Sequence, residues 1–64
     1  MDKEIYYEVT TALEKLNEVY DHIDNAMNMA KAGSFLQDTL HVAQRNLGTA
    51  HMKLEVARDV SESL

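Results

Sequence analysis

The sequence predicts an all-α protein: a two-helix antiparallel hairpin that dimerises into a four-helix bundle. Three observations carry this. Apolar residues recur at alternating steps of four and three through both halves of the 64-residue chain. No proline interrupts either half. A glycine and a good helix-capping residue, Gly33 and Ser34, stand together at the midpoint.

Helix one is expected over about residues 3–32. Asp2 is placed to cap it, because a carboxylate just before the first turn accepts from otherwise unpaired backbone N–H groups. Ile5, Val9, Ala12, Leu16, Val19, Ile23, Ala26 and Ala30 form one stripe with a mean period of 3.5, the coiled-coil value. Tyr6, Leu13, Tyr20 and Met27 recur every seven residues just beside that stripe.

The turn is expected at residues 33–34. Gly33 tolerates the left-handed conformation that ends a helix. Lys31, just before it, is a cation at the carbonyl end of the helix dipole. Ser34 with Gln37 three residues later is a capping box that opens the next helix. A stop followed at once by a start forces a sharp reversal, hence an αα-hairpin.

Helix two is expected over about residues 35–61. Its stripe is Leu36, Leu40, Ala43, Leu47, Ala50, Leu54 and Ala57, with leucine and alanine alternating from Leu40 onward. Such alternation lets helices approach closely while the leucines fill the space between. Gly48 sits mid-helix, at a cost of about 1 kcal/mol against alanine, and the helix is expected to continue through it. The end is expected to fray, since Asp59 and Glu62 are anions where the dipole favours cations. Phe35, Val42, Val56 and Val60 flank the stripe.

These elements make a single helical-hairpin domain over residues 1–64. Leu16, Val19, Ile23, Leu40, Leu47 and Leu54 are expected to form the hairpin core. Tyr6, Leu13, Tyr20, Met27, Val42 and Val56 are expected to form a wider interface, because one hairpin cannot cover two stripes and both flanks. The simplest cover is a second copy, giving a homodimeric four-helix bundle. Self-association also suits a short chain without cysteine, which has no disulfide to support a small core.

Composition narrows the function. The chain is 45% hydrophobic, which argues against disorder. Its formal net charge is −5, and most of the excess lies in the first half, where seven acids face three lysines. An acidic surface repels phosphate backbones at long range. Arg45, Lys53 and Arg58 are widely separated and make no basic strip, so nucleic acid is disfavoured as a partner. Apolar runs are far too short to span a membrane, and the acidic polar faces do not suit a membrane surface. The start, MDKEIYYE, lacks a signal peptide's basic residues and apolar stretch, so a leaderless, cytoplasmic protein is expected.

No catalytic, cofactor or metal site is predicted. The three histidines, His22, His41 and His51, are not paired at helical ligand spacing. His51, four residues before Glu55, reads as half of a helical ion pair, and His22 after Glu18 reads the same way. Serine occurs only in the cap and the tail, with no base and orienting group at hand, and there is no phosphate-binding loop. A non-enzymatic protein–protein interaction module is therefore expected, in the manner of a small regulator, adaptor or co-chaperone.

In length, hinge position and large/small layering the chain resembles the Rop family of plasmid copy-number regulators, which are dimeric hairpins that bind RNA. That resemblance implies the alternative function, a small RNA- or DNA-binding regulator. In size and in its mid-chain glycine turn the chain is also similar to the hairpin co-chaperones of type III secretion, which implies a protein partner.

Overall fold

The computed structural model describes residues 2–64. Two helices, α1 (Lys3–Met29) and α2 (Phe35–Ser63), fold back on each other. The backbone extends 46 × 16 × 9 Å, a flat two-rod plate.

Asp2 caps α1 as expected. Its Oδ1 accepts from the backbone N–H of Glu4 and of Ile5, both at 3.1 Å. The helix ends three residues earlier than the sequence suggests. Ala30 is already extended (ψ 147°), so Lys31 lies outside the helix and no basic side chain occupies its last turn.

The reversal is a β-turn over residues 31–34, closed by the Ser34 N–H donating to the Lys31 carbonyl at 3.1 Å. Gly33 is its third residue, with φ +75°, where a type II turn needs a residue that tolerates positive φ. The glycine thus serves the turn and does not itself end α1. Ser34 caps α2, its Oγ accepting from Gln37 N–H at 3.1 Å. The return half of the box is displaced by one residue: Gln37 Oε1 accepts from Gly33 N–H at 3.0 Å. Gln37 Nε2 also reaches the Met27 carbonyl at 3.5 Å. One side chain therefore ties together the end of α1, the turn and the start of α2.

Helix α2 runs unbroken through Gly48 and continues to Ser63, two residues past the expected end. Ser61 is only 2% exposed, and its hydroxyl donates to the Arg58 carbonyl at 2.7 Å. Ser63 donates to the Asp59 carbonyl at 3.2 Å. The last turn is thus helical despite its anions.

Candidate interaction face

The line along which α1 meets α2 takes in alternate members of the expected stripes and the rows beside them. On α1 it follows Tyr6, Leu13, Tyr20 and Met27, together with the Val9–Leu16–Ile23 row. Leu13 is buried at 7% exposure; the others are half-buried. On α2 it follows Leu40, Leu47 and Leu54, half-buried as well, and a row one heptad apart that is polar: Gln37, Gln44, His51 and Arg58.

Direct contacts fix this register. Gln44 Nε2 donates to Asp24 Oδ1 at 2.6 Å. The Tyr20 and His51 rings stand 6.2 Å apart, tilted by 60°. A methyl group built on Gly48 would meet the Tyr20 hydroxyl at 3.5 Å, an ordinary contact, so no close helix approach demands a glycine there.

Several expected placements shift accordingly. Val19, expected in the hairpin core, is 41% exposed. Leu13, expected at an outer interface, is the one apolar side chain buried within the hairpin among the described residues. Tyr20 turns inward toward Gly48 and His51. Val42 and Val56 are exposed. The polar row on α2 is invisible to apolar periodicity, which passes over Gln, His and Arg; its signal in the sequence is its own seven-residue spacing.

The two long sides of the plate differ in chemistry. On one, Thr10, Glu14 and Asn17 of α1 and His51, Glu55 and Arg58 of α2 line a shallow cleft over Leu13. Within it His51 Nδ1 lies 2.8 Å from Glu55 Oε1, the expected i,i+4 pair. Arg58 Nε lies 3.7 Å from Asp59. The Thr10 hydroxyl is buried without a hydrogen-bond partner. Glu14 and Glu55 outnumber the Arg58 charge, so the cleft does not suit an anion. Among the described residues no three His, Asp or Glu side chains gather to hold a metal.

The other side is apolar. Each helix advances 100° per residue, and a seven-residue step returns almost to the same bearing. The cleft shows that the Thr10–Asn17 row of α1 and the His51–Arg58 row of α2 share one side. Turning the opposite way from the contact line, α1 presents Ile5, Ala12, Val19 and Ala26, and α2 presents Leu36, Ala43, Ala50 and Ala57. These rows meet on the reverse of the plate. Ile5 and Leu36 are 48% and 59% exposed there. Alternate members of the heptad stripes read from the sequence, Ile5–Ala12–Val19–Ala26 and Leu36–Ala43–Ala50–Ala57, thus face outward and form one apolar face.

No family model, curated protein or solved structure matches this chain. Among the described residues no helix is long and apolar enough to cross a membrane.

Proposed function

We propose that the chain is a non-enzymatic protein–protein interaction module, a small regulator, adaptor or co-chaperone, that works as a homodimeric four-helix bundle through its apolar face. The observation that carries this reading is the contrast between one buried apolar side chain, Leu13, and the open row beside it. A compact chain of 7.3 kDa exposes about 4,200 Å². This one exposes 4879 Å². The excess is of the size that association removes, and the apolar row supplies a non-directional driving force for it. Val42 and Val56 extend the interaction surface onto the outer side of α2.

The charge layout favours this reading over nucleic-acid binding. Arg58 is half-buried beside the cleft and next to Asp59. Arg45 and Lys53 stand eight positions apart on α2. A phosphate track needs several cations in line.

Sedimentation velocity tests the proposal. The wild-type chain is expected to sediment as a dimer at micromolar concentration, with little response to added salt. Val19→Asp places an unpaired carboxylate in the face and is expected to raise the dimer dissociation constant by about 100-fold or more. A folded, monomeric wild-type chain sinks the reading, as does a Val19→Asp variant as dimeric as the parent.

A further inference from the structure

We infer that the reversal is a switchable hinge with Gln37 as its latch. Released, the two helices join into one continuous helix, which exchanges arms with a second copy. The inference stands on the turn itself and does not need a second copy on the apolar face.

The contact line keeps step across the turn. The Val9–Leu16–Ile23 row of α1, continued by steps of seven, passes through Ala30 and becomes the Gln37–Arg58 row of α2. Every member is half-buried in the hairpin. A hairpin does not require this register, since a turn longer by one residue would also reverse the chain and would break the step. A continuous helix does require it, because only then do both halves of the contact line follow one seam.

The residues between the helices suit a continuous helix. Ala30, Lys31 and Ala32 are ordinary or good helix formers, and no proline intervenes. Gly33 tolerates a helical conformation at a cost of about a factor of five in population. Gln44 on Asp24 and Tyr20 beside Gly48 set the levels of the pair, which centre on Ser34. Two straightened chains crossing there in the antiparallel sense overlap along nearly their whole length. Each α1 then meets the other copy's α2 through the contacts that the hairpin makes within one chain.

Gln37 opposes the joining of the helices. Its Oε1 accepts from the Gly33 N–H at 3.0 Å, and its Nε2 reaches the Met27 carbonyl at 3.5 Å. A continuous helix would pair these same two backbone groups with the Met29 carbonyl and the Lys31 N–H. The latch therefore occupies the groups that continuation of the helix needs. Each such bond is worth about a factor of five. With two bonds in a turn and two turns in an exchanged pair, removing the side chain favours exchange by about several hundred-fold. Closing a hairpin is intramolecular, with an effective concentration of about a millimolar for a short connection, so exchange grows as protein concentration rises.

Glu18→Cys with Met52→Cys places two nitroxide labels at exposed positions in a chain that has no other cysteine. A trace of labelled chain in an excess of unlabelled chain reports distances within one chain only. In the parent a single separation of about 25 Å is expected, the 16 Å width of the plate plus label arms. In Gln37→Ala a second population near about 50 Å is expected, the rise of one helix between the two sites. That population is expected to grow as the unlabelled chain is raised toward about a millimolar. Gln37→Glu, which keeps an acceptor for the Gly33 N–H, is expected to exchange less than Gln37→Ala. A Gln37→Ala chain that stays helical by circular dichroism and keeps only the short separation overturns the latch. A parent dominated by the long separation overturns it as well. Should Gln37→Ala lose its helix, Gly33→Ala penalises the turn without touching the latch, and a short separation alone in that variant overturns the hinge. A face-to-face dimer of closed hairpins keeps the short separation, so failure here is distinct from failure of the homodimer reading.

Discussion

At the scale of single residues, Gly48 is the clearest case of sequence expectation meeting geometry. A glycine in mid-helix invites a search for a kink or a close approach. The structure has neither: α2 is continuous, and the nearest atom to an added methyl is the Tyr20 hydroxyl at 3.5 Å. With no steric reason for its absence, a Cβ contributes its ordinary helix-propensity gain. Gly48→Ala is expected to raise stability by about 1 kcal/mol, read as a shift in the urea midpoint at fixed protein concentration with the slope unchanged. A loss of stability would mean that Tyr20 cannot yield the space the geometry grants. Gly33 is the opposite case. Its φ of +75° is one that a side chain resists, although open space surrounds it. Gly33→Ala is expected to cost about 1 to 2 kcal/mol, and Gly33→Asn less, because asparagine visits that conformation more readily.

At the scale of elements, the caps were legible and the contact line was not. Asp2 and Ser34 announce their roles through side-chain chemistry that acts within three residues, and both accept the expected backbone N–H groups. A glycine able to stop a helix does not mark the end of α1, because the chain leaves the helix at Ala30 and uses Gly33 in the turn. The contact line is a different problem. Helix one carries two interleaved apolar rows at seven-residue spacing, Ile5–Ala12–Val19–Ala26 and Tyr6–Leu13–Tyr20–Met27, and periodicity scores them alike. What separates them lies on the other helix, where Gln44 meets Asp24 and His51 meets Tyr20. A polar row that packs against tyrosine and a carboxylate draws the second apolar row inward and leaves the first facing out. The division into an inner and an outer row is therefore a property of the pair of helices, beyond what either sequence stretch encodes alone.

At the scale of the whole molecule, the hairpin is a plate with little interior of its own. Its buried apolar content among the described residues is Leu13, whereas domains of this size normally need a sizeable core or a covalent staple to offset chain entropy. If the second copy supplies the missing interior, folding and association are one reaction, and stability must depend on how much protein is present. A 100-fold rise in concentration adds about 2.7 kcal/mol to the folded dimer. Spread over two chains of 64 residues, with an unfolding entropy of roughly 2 cal/mol/K per residue, that raises the thermal midpoint by about 10 °C. Melting curves by circular dichroism at a few micromolar and at a few hundred micromolar are expected to differ by this amount. The Val19→Asp variant, its dimer weakened about 100-fold, is expected to melt about 10 °C lower than the wild type at the same concentration. A wild-type midpoint that stays fixed across that range would place the stability inside a single hairpin, and the open apolar face would then have to be held in solution by something other than its own twin.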